Sequence, residues 1–311
     1  MKKLLQLVLL FTTITTYNIS GYAQQNAIIL KTKQNKDNSI EFSYEKTAPG
    51  SYTVMVEIYN LLNAYHSNFE HVVKLSSGKL FTLHPIDKNR GISFNSSYSY
   101  TNGIMNPKVD SLFVYTLPFQ KGKIISVYES NHLYHDIFNA ELPKNWKAYH
   151  FKADAADTIF AARKGMVVKV NDQFETDTIS FFNSKKNYIT LEHADGSFAT
   201  YTGFAKNNIF VKPGQTIYPQ TPLGNIKEPF KPIPNNFSFM VYYLTKEKSK
   251  QKSTNTNFTK NIKQVFITPY FNTEQGILKL EHYEKYNVAV NADEIQKEMT
   301  KSEKKKLNKL N

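Results

Sequence analysis

Chemistry in this chain has to come from histidine and carboxylate side chains, because the other usual sources are missing. There is no cysteine to act as nucleophile or thiolate ligand, no G-x-S-x-G nucleophile elbow and no phosphate-binding glycine loop. Nucleophilic and nucleotide chemistry are therefore set aside. The histidines are His66, His71, His84, His132, His135, His150, His193 and His282. Imidazole suits zinc, and a catalytic zinc takes three protein ligands while a fourth position holds the water that becomes hydroxide. Apart from His150 and His193, only His132 and His135 stand at a ligand-like spacing, three residues apart, which would share a face on a helix. Tyr134 and Phe138 beside them fit a strand or a domain junction better, so chelation is not expected there. His193 is expected to be a hydrogen-bonded turn histidine.

The elements that position these residues read mostly as strands. Short runs at 39–44, 52–59, 92–100 and 112–115 are separated by turn signals such as Pro49-Gly50 and Asn102-Gly103. Tyr52, Val54, Val56 and Ile58 alternate with more polar neighbours, the period of a sheet with one face buried, which favours a β-sandwich. ELPKNW at 141–146 breaks the pattern with a proline, and Trp146 is placed to pin a junction. From 149 to 286 the chain is again strand-rich, with turns at Asp195-Gly196, Pro213-Gly214 and Gln275-Gly276. The proline-rich loop 228–236 and the polar insertion 246–260 belong on the surface. Residues 293–310 combine helix formers with a nearly all-charged middle, which predicts a frayed surface helix; a membrane-surface or partner-binding helix is the alternative.

The first 23 residues carry Lys2 and Lys3, an apolar run from Leu4 to Leu10, and small residues before Gln24. A signal peptide cleaved near Gln24 is expected, so the protein should be exported, periplasmic or extracellular. No later stretch reaches the roughly 20 apolar residues of a membrane span, so no transmembrane segment is expected after cleavage. With no cysteine, disulfides and a lipidated cysteine anchor are excluded, and core burial must hold the fold. The formal charge of +13 raises encounter with anionic envelope polymers; nucleic acid is not an expected partner, since no recognition motif is present.

Several consecutive pieces resemble the LytM-type core of the M23 peptidase family. DTIFAARKGMV at 157–167 is similar to the family's opening strand and turn. YITLEHADG at 188–196 resembles its strand ending in a histidine and a glycine turn, and FATYTGF at 198–204 its partner strand. Residues 209–224, with a V-x-x-G-Q-x-I core, resemble its hallmark hairpin. The order and spacing of the series match, and it implies an M23-type sheet. The same hairpin core occurs in lipoyl and biotinyl carriers, but the D-K or M-K pair such a carrier needs is missing.

The resemblance also implies a zinc site, and here the sequence departs from it. The family's first ligand pair is a histidine with an aspartate four residues later; His150 and Asp154 have that spacing, but alignment on the following strand moves the two positions to about Trp146 and His150. The family's Y-x-H-L reads Tyr201-Thr202-Gly203-Phe204, and its late H-L-H-F reads Asn236-Phe237-Ser238-Phe239. Glycine offers no side chain, and asparagine and neutral serine are not usual zinc ligands.

The expected fold is all-β: an N-terminal β-sandwich-like domain (24–145), an M23/LytM-type β domain (146–290) and a Lys-rich helical tail (291–311) behind the signal peptide (1–23). The expected function is an exported, catalytically inactive M23-like protein that binds peptidoglycan peptide or an envelope protein partner, such as a hydrolase, through the inherited groove. Tyr201, Thr202, Asn236 and Ser238 are expected to line its floor, with no catalytic residue and no cofactor. The alternatives are an active zinc metalloendopeptidase using His150 and Asp154, and an envelope structural or adhesion protein.

Overall fold

The computed structural model describes residues 26–65, 68–129, 146–152, 154, 157–175, 186–226, 237–246 and 262–307. The leader, His66, the pair His132 and His135, the loop 228–236 with Asn236, and nearly all of the insertion 246–260 lie outside the described residues.

The chain begins as β1 (Ile28–Gln34), β2 (Ile40–Lys46), β3 (Tyr52–Leu62), β4 (Phe69–Val73), β5 (Ser77–Leu83) and β6 (Ser93–Asn102). These strands form two antiparallel sheets, β1-β2-β5 and β4-β3-β6. The period-two run in β3 places Tyr52, Val54, Val56 and Ile58 inward, each under a tenth exposed. They meet Ile28, Phe42, Phe81 and Leu83 of the other sheet in one core, and the rings of Phe69 and Phe81 stack 3.6 Å apart between the sheets. This is the expected sandwich.

The second core begins at Phe113. The elements that build it are β7 (Val114–Thr116), β8 (Ile124–Glu129), β9 (Tyr149–Lys152), β10 (Thr158–Phe160), β11 (Gly165–Asn171), β12 (Tyr188–Glu192), β13 (Phe198–Thr202), β14 (Phe204–Ile209), β15 (Thr216–Ile217), β16 (Pro222–Ile226), β17 (Phe237–Lys246), β18 (Ile262–Ile267), β19 (Tyr270–Thr273), β20 (Gly276–Leu278) and β21 (Lys285–Asn287). The main sheet runs β15-β11-β12-β13-β17-β9-β8-β21, with β18 also on β17. One face of it buries Ile125, Val127, Tyr149, Phe151, Ile189, Leu191, Ala199, Tyr201, Phe237, Phe239 and Val241. The small sheets β10-β16-β14 and β20-β19-β7 complete the second core, β19 pairing with β7 in parallel. Gly224 is required by packing: a Cβ there would lie 2.4 Å from the Asn208 carbonyl and 2.9 Å from the Phe204 ring.

Two short helices end the chain, α1 (Ala292–Gln296) and α2 (Lys301–Leu307). The tail is tied down rather than frayed. Glu303 and Thr300 form a capping box, the Thr300 N–H donating to Glu303 Oε2 at 2.6 Å and the Glu303 N–H to Thr300 Oγ1 at 3.3 Å. No described helix is long and apolar enough to cross a membrane.

Candidate functional site

The outer face of the main sheet carries two of the residues expected to line a groove, Thr202 and Ser238. Strand register sets Asn171 beside Tyr188, Tyr188 beside Thr202, Thr202 beside Ser238, Ser238 beside His150, and His150 beside Tyr128. Register partners in neighbouring strands sit about 5 Å apart on one face, so six strands contribute one continuous cross-strand row. Every member is half-buried. Of the residues expected to line a groove floor, Thr202 and Ser238 stand side by side, and His150 lies immediately next to Ser238.

Tyr201 does not line this floor. Successive side chains point to opposite faces, so Tyr201 shares the inward face with Ala199 and is fully buried. Its hydroxyl oxygen accepts the Ala162 N–H at 2.9 Å. Polar Thr200 and Thr202 flanking Ala199 and Tyr201 carried this signal in the sequence.

Asp154 does not join the row either. Its carboxylate is held 2.9 Å from Lys123 Nζ, an ammonium that Asp157 also binds. His150 is pushed down to about 4, first by burial and then by the Lys186 ammonium. At neutral pH the row therefore offers a neutral imidazole, the hydroxyls of Tyr188, Thr202, Ser238 and Tyr128, the Asn171 amide and a nearby positive charge. One imidazole among hydroxyls and an amide is not a donor set for catalytic zinc, and a neighbouring ammonium opposes a dication. Among the described residues no three His, Asp or Glu side chains converge as metal ligands.

The opposite end of the same face is closed by the sandwich. Phe198 and Leu244 pack with Met105, and Met55 of β3 joins them. Gly103, at φ +106°, lies so close that a Cβ would come within 2.6 Å of the Phe198 ring. The buried Glu192 carboxylate accepts the Ser51 N–H at 2.7 Å and also binds the Ser51 hydroxyl. A cleft of about 510 Å³ opens at this junction, lined by Lys46, Ser51, Lys164, Glu192, His193 and Glu298 among others. It does not include the His150 row. His193 is anchored there, its Nδ1–H donating to the Lys164 carbonyl at 2.8 Å.

Sequence reading missed the second feature of this end, a clamp on the tail. Arg163, 2% exposed, donates from Nη1 to Asp195 at 3.0 Å and to Tyr115 Oη at 3.2 Å, and from Nη2 and Nε to Glu298 at 2.8 and 3.1 Å. Lys164 Nζ donates to the Glu298 carbonyl and to Glu303, both at 2.9 Å, and Tyr218 donates to Glu303 at 2.8 Å. Burial opposes ionisation of Asp195, but the Arg163 guanidinium and hydrogen bonds from Ser197 hold its carboxyl down to about 2.

Of the pieces read as an M23-type series, 157–167 ends in β11, 188–196 holds β12 and 198–204 holds β13, neighbours in one antiparallel sheet; the hairpin 209–224 gives β15 at the edge of that sheet, beside β11, and part of β16 in the small sheet. Among solved structures the chain is similar to pseudoalterin, an M23 metalloprotease from the deep sea, at 14% identity over 57% of this chain and 99% of that one, with a TM-score of 0.31. It is similar to a putative M23 peptidase of Pseudomonas aeruginosa at 13% identity over 61% and 82%, TM-score 0.28, and to Helicobacter pylori Csd3 at 12% identity over 92% and 78%, TM-score 0.29. No family model and no curated protein matches the chain. At these identities no residue role passes from the M23 structures to this chain.

Proposed function

We propose that this protein is an exported, catalytically inactive M23-like protein that binds cell-wall stem peptide along the outer face of its main sheet. The observation that carries the reading is the row Tyr188–Thr202–Ser238–His150. It keeps the face on which an M23-type sheet would work, yet supplies hydroxyl and imidazole hydrogen bonds where metal ligands are needed. Peptide amides pair with such groups, and the Lys186 ammonium favours a peptide carboxylate. A partner hydrolase is the other occupant of the same face. The +13 charge supports retention near anionic envelope polymers.

The test is isothermal titration of the mature protein with a soluble stem peptide, alongside elemental analysis and a peptidoglycan-release assay. Binding should be lost in Ser238→Arg, whose bulk fills the row between Thr202 and His150. Stoichiometric zinc together with release of peptidoglycan fragments overturns the reading in favour of an active peptidase. Absence of peptide binding, or binding that Ser238→Arg leaves unchanged, overturns the groove.

A further inference from the structure

The polar row does not end at His150. Its last member, Tyr128 of β8, is part of a cluster of three rings at the edge of the sheet. The Tyr128 ring stands edge-on to His282, with centroids 6.3 Å apart and planes at 82°, and edge-on to Tyr283 at 5.7 Å and 86°. His282 and Tyr283 lie ring against ring at 3.8 Å. Because Val127 points into the core, Tyr128 and the two rings it touches stand on the outer face, the one that carries His150.

The cluster is built rather than incidental. The Glu129 N–H donates to His282 Nδ1 at 2.8 Å and the Tyr283 N–H to the Val127 carbonyl at 2.9 Å, so both residues of the turn are fastened to β8. Tyr283 has φ +67°, a left-handed conformation that glycine or asparagine adopts readily and an aromatic residue rarely does. The backbone thus holds a tyrosine 73% exposed at a position that favours a small residue. A single exposed aromatic needs no explanation, but a fixed stack with its outermost ring in solvent presents a flat apolar face. Glu281 and Glu284, both exposed, flank it and supply carboxylate acceptors.

We infer that Tyr283, backed by His282 and Tyr128, is a subsite for a pyranose ring of a glycan strand. The C–H face of a sugar stacks on an aromatic ring, and sugar hydroxyls donate to flanking carboxylates. A nucleic acid would also stack, but Glu281 and Glu284 would repel its phosphates. The inference rests on the stem-peptide reading for its choice of polymer: sugar at Tyr283 and peptide along the row to Tyr188 would let one face bind both parts of a wall fragment.

The probe is chitotetraose, a β-1,4-linked N-acetylglucosamine oligomer, titrated into the mature protein by calorimetry, with saturation-transfer NMR to map ring contacts. Binding is expected, with transfer to tyrosine ring protons. Tyr283→Asn, which removes the ring and suits the positive φ, should weaken binding about tenfold or more, while Tyr283→Phe keeps it within about twofold. Thermal unfolding of Tyr283→Asn at the parent temperature identifies its loss of binding as loss of the ring. Failure of chitotetraose to bind at millimolar concentration, or equal binding by Tyr283→Asn, overturns the subsite even where stem peptide binds in a Ser238-dependent way. Tyr283-dependent binding of chitotetraose without any binding of stem peptide upholds the subsite and overturns the groove instead.

Discussion

Replacing Glu298 with alanine should loosen the tail and destabilise the larger core together. The structure shows why. Arg163 is nearly fully buried, and Glu298 meets it with both oxygens, Oε1 at 2.8 Å from Nη2 and Oε2 at 3.1 Å from Nε. Breaking a buried ion pair from one side costs about 3–5 kcal/mol, since the remaining charge is left in a poor medium. Two features lower that figure here: Asp195 stays in place 3.0 Å from the guanidinium, and the Glu298 side chain is 19% exposed. A loss of about 2–3 kcal/mol follows, in line with charged hydrogen bonds worth about 1.5–3 kcal/mol. At about 2–4 °C per kcal/mol for domains of this size, the melting temperature should fall by about 4–12 °C. Urea unfolding gives the free energy, and limited trypsin digestion reports the tail, because Lys301, Lys304, Lys305 and Lys306 of α2 become cleavable once it lifts. Glu298→Gln, which keeps hydrogen-bonding capacity without the charge, should fall between the parent and alanine. A change below about 0.5 kcal/mol with unaltered digestion would refute the clamp.

Further outcomes are expected from the same structure. The carboxyls of Asp195 and Glu303 are both held at about 2, below their ordinary values of 3.8 and 4.5, so their contribution is complete above about pH 4.5 and is lost as pH falls toward 2; protection of the tail amides, read by hydrogen exchange at low pH, should follow that window, and release near pH 6 would contradict it. His150, lowered from 6.5 to about 4, favours the folded state above 6.5 and withdraws that contribution as pH drops toward 4. An imidazole NMR titration should find it near 4, and Lys186→Met should raise it only part of the way to 6.5, since burial is the larger cause; a titration near 6.5 in the parent refutes this. Gly103→Ala should weaken packing of the sandwich on Phe198, lowering stability by about 1–3 kcal/mol through a clash and an unfavourable positive φ, measured by denaturant unfolding. Gly224→Ala should cost a similar amount from contact with the Asn208 carbonyl, and a neutral result would place β14 and β16 further apart than described.

Local pattern was enough for the strands and for the placing of Thr202 beside Ser238 on one face. Alternation in β3, and the ordered series that became β11, β12, β13 and β15, are properties of neighbouring residues, and neighbours are what a sequence displays. The error at Tyr201 came from weighing a motif over alternation: the period of two already placed it with Ala199. What was not legible depends on residues far apart. Arg163 sits in a short A-A-R-K-G turn that resembles a solvent-exposed corner, and its partner Glu298 lies 135 positions later. The helix formers of the tail signalled a helix there, and the T-x-x-E capping signal at 300–303 marks where α2 starts.

The same long-range contacts determine which end of the sheet can work. The Ser51 turn, Gly103 and Met105 press on Glu192, Phe198 and Leu244, while Arg163 and Lys164 hold the tail against the corner where β11 begins. Both attachments lie toward one end of the main sheet, and both bury charge or large apolar side chains that solvent would otherwise reach. The row ending in His150 and Tyr128 lies at the other end, where the half-buried side chains are polar and the Lys186 ammonium acts on His150. The hydroxyls of Thr202 and Ser238 are therefore the groups on which the proposed binding depends. Thr202→Val together with Ser238→Ala tests this directly: each removes a hydroxyl at a half-buried position without inserting much bulk, so stability should change by no more than about 1.5 kcal/mol per site, whereas binding that relies on the hydroxyls should drop by about tenfold or more.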